Sequence, residues 1–209
     1  MITSKAYSIG ITGVVLFVLT TIIGTFLHPN YNNYSQFISE LYAVEAPNAD
    51  LIRYLGYIPS GVLFLLFSFF AIKETPKSSL KNAGFIGIGL SYGLGTIICG
   101  YFNCDIGCNP EFINPSLSQI IHNLSGFLTY CIVPGSIFLI AIKSRKWENG
   151  VPFSNWSYIL SLVSFIFVFI LNTNLNSPYK GLIQRVIEIS ILFWIVLCAF
   201  YIKKQFNNA

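Results

Sequence analysis

SIGITGVVLFVLTTIIGTFL, residues 8–27, is a run of twenty residues without one charged side chain. At ~1.5 Å of rise per residue, about 20 residues cross a hydrocarbon core of ~30 Å as an α-helix. The run is longer than the apolar segment of a usual signal peptide, and no small-x-small cleavage site follows it, so it is expected to remain as a membrane helix. Apolar runs of similar character recur at residues 54–72, 83–102, 119–142, 156–172 and 182–202. Inside lipid an unpaired amide has nothing to bond, so each run must be helical. The expectation is an all-α integral membrane fold, a six-transmembrane-helix bundle forming a single domain over residues 1–209.

Composition supports that reading. The 209 residues are 54% hydrophobic and only 10% charged, where a soluble domain carries about 25% charged residues. Mean hydropathy is +0.66. No basic block is interleaved with aromatics, so nucleic acid is not an expected partner; membrane lipids are.

The net charge of +4 carries information through its placement. Lys5, Lys73, Lys77, Lys81, Lys143, Arg145, Lys146, Lys203 and Lys204 fall on one set of connections and ends, and Arg53, Lys180 and Arg185 on the other. Nine basic residues against three is a positive-inside bias, which predicts both termini in the cytoplasm. The third run is dense in glycine, with Gly89 and Gly93 forming a GxxxG and Ser91 and Gly95 a parallel pair. Small residues at that spacing let backbones approach closely, which predicts that the third helix is central.

Chemistry is concentrated at the sparsely basic face. Glu188 lies inside the sixth run, with Gln184 and Arg185 four and three positions before it. Residues at that spacing share a helix face, so an Arg–Glu clamp or an anion site on Arg185 is expected there. His122 sits in the fourth run between Ser118 and Ser125, and His28 closes the first run. Ser39 and Glu40 lie on the loop after the first run. Asp105 lies between Cys104 and Cys108, whose spacing suits a small-loop disulfide better than a thioredoxin-type redox pair or a metal pair. Two histidines exclude a three-His zinc site but leave open a metal set drawn from His122, Asp105, Glu188 and His28. Haem is disfavoured because both histidines map to one face; the cofactor is otherwise unknown from sequence. No nucleotide loop, GxSxG or HExxH occurs.

Three further motifs occur in order: ISELYAVEAPN at 38–48, GYFNCDIGC at 100–108 and GLIQR at 181–185, with His122 between the last two. Together they resemble the six-helix prokaryotic membrane family known as domain of unknown function 998, across nearly the whole chain, and the resemblance implies a prokaryotic inner (plasma) membrane as the site of residence. Asn103 stands where that pattern has proline, and Tyr42 where it has glycine. More distantly the chain is similar to the Frag1/DRAM/Sfk1 group of eukaryotic membrane proteins, some of which act in remodelling glycosylphosphatidylinositol lipids. That resemblance implies a lipid ligand; fold-level likeness alone does not define a site.

Two functions follow as expectations. One is a protein with an extracytoplasmic polar pocket that binds or remodels a lipid. In it His122, Asp105 and Glu188 are the catalytic candidates, and Arg185, Gln184, Glu40 and Ser39 hold the ligand. The other is a structural protein whose polar cluster locks helices. A small-solute or proton-coupled transporter is disfavoured, since the polar residues gather at one face rather than at the midplane of repeated halves.

Overall fold

The computed structural model describes residues 4–208, with side chains to residue 205. Six helices run through them: α1 (Lys5–Leu27), α2 (Ala49–Glu74), α3 (Ser79–Tyr101), α4 (Leu117–Ser144), α5 (Val151–Thr173) and α6 (Lys180–Asn208). All six are long and apolar enough to cross a membrane, and no strand occurs among the described residues. Five of them contain an apolar run whole and α3 covers all of its run but Phe102, and most extend beyond it. Polar residues carry the helices past their apolar windows, since Ser4, Ser78 and Ser116 cap backbone N–H groups at the starts of α1, α3 and α4. The short fifth run grows to Val151–Thr173, with Pro152 in its first turn, where a missing N–H costs nothing.

Consecutive helices pack side by side and α6 returns to α1, closing a six-membered ring. In addition α6 touches α2 and α4. It is the most enclosed span, with 56% of its apolar window buried against 44% for α2 and α3. The central helix is therefore the sixth, not the glycine-dense third. The glycines of α3 serve its two neighbours instead. A Cβ on Gly93 would stand 2.8 Å from the Leu65 backbone nitrogen of α2, and one on Gly84 would stand 2.7 Å from the Ser136 carbonyl of α4.

Phe64, Phe67, Phe85, Ile137, Ile191 and Trp194 fill the interior, while Phe26, Leu162 and Phe169 face outward. The short-loop end is fastened by two polar devices, one part-buried and one buried. Glu74 accepts from the Ser4 hydroxyl and from the Lys5 and Ala6 amides, which neutralises the exposed N–H groups of α1. Lys81 is fully buried and donates to the Ile72 and Thr75 carbonyls at the end of α2.

Two helices depart from α geometry. Arg53–Tyr57 in α2 and Ile88–Gly93 in α3 are π turns. An extra residue per turn rotates the following side chains, and such turns are frequent at functional sites. Here they carry Tyr57 and Tyr92.

Candidate functional site

The long loops at residues 28–48 and 102–116 fold over one end of the ring. Arg185 anchors the first: its guanidinium donates to the carbonyls of Asn33 and Gln36, to Asn33 Oδ1, to the Tyr31 hydroxyl and to its own helix at Gly181. Burial pushes the Tyr31 hydroxyl up to about 12, against the pull of Arg185, so it stays neutral and donates to the Phe37 carbonyl at 2.7 Å. Glu40 accepts from the Phe37 amide and Gln36 Nε2 and lies 3.7 Å from Lys180. Gln184 Oε1 accepts from the Ile38 amide at 2.7 Å.

The second loop is closed by the Cys104–Cys108 disulfide, whose Cα atoms are 4.8 Å apart, inside the usual range. Gly107, Cys108 and Asn109 all take positive φ in this turn. The Val44 amide donates to the Cys104 carbonyl, joining the two loops. Asp105 Oδ2 accepts from the Ser116 amide at 3.0 Å, and Gln119 receives the Asp105 amide and donates to the Cys108 carbonyl.

Beneath this cover lie two adjoining cavities. The inner one, about 90 Å³, is walled by side chains that include Phe17, Tyr42, Tyr57, Tyr92, Tyr130 and Glu188. The other, about 260 Å³, reaches the surface past half-exposed Phe127 and Leu175. Ser39, His122, Gly126, Tyr130 and Gln184 line both.

Glu188 is buried and held by two phenols: the Tyr92 hydroxyl donates to Oε2 and the Tyr130 hydroxyl to Oε1, each at 2.7 Å. No cation lies within ion-pair distance of it among the described residues. His122 Nδ1 is 2.8 Å from the Phe102 carbonyl and 3.2 Å from that of Cys99. Carbonyls only accept, so Nδ1 carries the hydrogen, and the neutral ring presents Nε2 as a bare acceptor. Among the described residues no protein atom donates to that Nε2, and it is not one of the fully buried atoms left without a partner, so it is open to the cavities.

The expected residues therefore divide. His122, Glu188, Gln184 and Ser39 come together at the cavities. The pairing of His122 with Asp105 is not formed, because the Asp105 carboxylate is spent at the start of α4. The Arg185–Glu188 clamp is not formed either, since the loop carbonyls take the guanidinium. Glu40 and Arg185 order the loop and line neither cavity, and His28 packs against Tyr31 with the two rings tilted by 55°. Among the described residues no three His, Cys, Asp or Glu side chains converge, so the metal set is not assembled.

Four tyrosines of the chamber were not among the expected site residues. Tyr57, Tyr92 and Tyr130 lie within apolar runs, where a buried hydroxyl needs a partner, and that was the available signal. Tyr42, in place of the pattern's glycine, packs its ring 4.8 Å from that of Tyr57 and walls the chamber. Burial raises its hydroxyl well above the ordinary phenol range.

Fold and site define a polytopic integral membrane protein of six helices with a covered cavity at one end. The chain matches the family "Protein of unknown function (DUF998)" over residues 11–201 and belongs to it. No curated protein and no solved structure matches it.

Proposed function

We propose that the protein binds an amphipathic membrane lipid in the paired cavities, with the loop-rich end on the extracytoplasmic side of a prokaryotic plasma membrane. The observation that carries the reading is the unpartnered His122 Nε2, on a residue only 7% exposed, set between a chamber that holds Glu188 and a larger cavity open to the surface. His122 Nε2 is not one of the fully buried atoms left without a partner, so it is reachable from the cavities, where a bare acceptor can take a hydrogen bond from a ligand. Binding is the function this supports; a remodelling step would draw on Nε2 as the proton acceptor, without Asp105.

A second reading rests on its own observation. Tyr92, Tyr130 and Glu188 come from α3, α4 and α6 and tie three helices together. An ionised carboxylate deep in a span costs roughly 2.5–3.5 kcal/mol on insertion scales, and a hydrogen bond to a charged group returns about 1.5–3 kcal/mol. Two such bonds hold Glu188 in place with no ligand at all.

Gly126 separates the two readings. It lines both cavities, and a Cβ there meets nothing within 4 Å. Gly126→Leu fills the space without disturbing Glu188, and removing a mid-helix glycine favours the helix by about 0.8–1.0 kcal/mol. Native mass spectrometry of gently solubilised protein should show a lipid adduct that Gly126→Leu loses, at unchanged or higher melting temperature. An adduct that persists in the variant, or none in the native protein, leaves only the helix lock.

A further inference from the structure

We propose that the inner chamber is a cation site, built to take the ammonium group of the ligand; this rests on the ligand-binding reading of the same cavities. Four observations converge on it.

The first is the count of donors and acceptors. The Tyr92 and Tyr130 hydroxyls are spent on Glu188, and the Thr129 and Thr96 hydroxyls on the Ser91 and Tyr92 carbonyls. Thr21 donates its hydrogen to the Phe17 carbonyl, so the Tyr57 hydroxyl, 2.9 Å away, must donate to Thr21. What remains toward the chamber is chiefly acceptor: His122 Nε2 and the unused lone pairs of Glu188, two of about four being occupied. The remaining donors, the Gln184 amide and the Ser39 and Tyr42 hydroxyls, are neutral.

The second is charge. Among the described residues no Lys or Arg lies within ion-pair distance of Glu188 or lines either cavity. Arg185, expected to anchor an anionic headgroup, is committed to the loop. An anionic group placed here would meet acceptor oxygens with no cation beside them; an ammonium group brings N–H donors to those acceptors.

The third is the wall. Phe17, Tyr42, Tyr57, Tyr92 and Tyr130 surround the space, and aromatic faces attract ammonium groups through their quadrupoles, most strongly when water is excluded. The fourth is size. About 90 Å³ admits a group of a few heavy atoms, several times the ~10–15 Å³ that one water needs. The larger cavity, walled by Phe37, Pro110, Phe127, Leu171 and Leu175, suits the apolar remainder of the molecule.

The ammonium group can come from a lipid headgroup or from a free amine, and the experiment separates them. Full-length protein is placed in nanodiscs of phosphatidylethanolamine, of phosphatidylglycerol, or of an equal mixture, and lipids retained after extraction are weighed by native mass spectrometry. In parallel, its melting temperature is followed with ethanolamine and with ethylene glycol, which is similar in size and uncharged. The expected result is retention of phosphatidylethanolamine over phosphatidylglycerol by about tenfold or more, lost in Glu188→Gln, and stabilisation by ethanolamine alone. A retained lipid with no headgroup preference, together with equal effects of the two small solutes, overturns the cation site while the lipid-binding reading stands. Stabilisation by ethanolamine with no lipid retained keeps the cation site and overturns the lipid. Since the two small solutes are compared on the native protein, failure of Glu188→Gln to fold does not remove the test.

Discussion

Asp105 and Glu188 are both carboxylates at the loop-rich end, and their surroundings give them different work. Hydrogen bonds from the Ser116 hydroxyl and amide hold the Asp105 carboxyl below the usual carboxylate range. A carboxylate with a lowered folded value adds stability above its unfolded value, about 3.9, and loses it as pH falls through the folded one. Asp105→Asn should therefore melt slightly below the native protein at pH 7, with the gap closing as the pH falls below the unfolded value of about 3.9 and through the lowered folded one. The side chain is partly exposed, so the effect is small. Lipid retention should not change, because Asp105 lines neither cavity. A loss of the adduct with stability intact would return Asp105 to the site. His122 and Glu188 were legible as polar residues stranded in apolar runs. Arg185 was misplaced because helical spacing is a local rule, while the acceptors that captured it lie about 150 positions away, at Asn33 and Gln36.

At the scale of elements, the membrane helices were legible because hydropathy is additive along a span, and the π turns were not. A π turn follows from packing against neighbours, and nothing in RYLGY or IGLSYG distinguishes it from an ordinary helix. The same limit explains the misjudged centre. Glycine density marks close approach but not which helix is enclosed, and α3 approaches α2 and α4 from the ring. The α2–α3 contact is the tightest test of this. Gly61 and Gly93 face each other, with a Gly93 Cβ placed 2.8 Å from one backbone atom and 3.1 Å from the Gly61 carbonyl. Backbone cannot step aside as a side-chain tip can, so Gly93→Ala should destabilise the protein by about 1–3 kcal/mol, measured by unfolding in mixed micelles. Gly126→Ala, with open space around it, should cost nothing. Equal effects at the two sites would mean that α2 and α3 are not so closely packed.

For the molecule as a whole, the ring has two unlike ends, and the direction in which it sits decides what its cavity can meet. The short-loop end carries the nine basic residues on connections and ends, against three at the loop-rich end. Translocation of positively charged short loops is disfavoured, so the charge bias predicts that the loop-rich end is extracytoplasmic. The Cys104–Cys108 bond points the same way from independent chemistry, since disulfides persist on the oxidising side of a plasma membrane and are reduced in the cytoplasm. That end is also where the disulfide, Arg185 and Glu40 hold a cover of irregular backbone over the cavities. Fusions resolve the direction. Alkaline phosphatase joined within residues 43–48 or 109–114 should be active and a fluorescent protein at the C-terminus should glow, whereas phosphatase joined within residues 75–78 should be inactive. The opposite pattern would place the loops in the cytoplasm, where the disulfide would be reduced and the cavities would open to the inner leaflet. The proposed extracytoplasmic location would then have to be abandoned, and the chamber would draw its lipid from the inner leaflet instead.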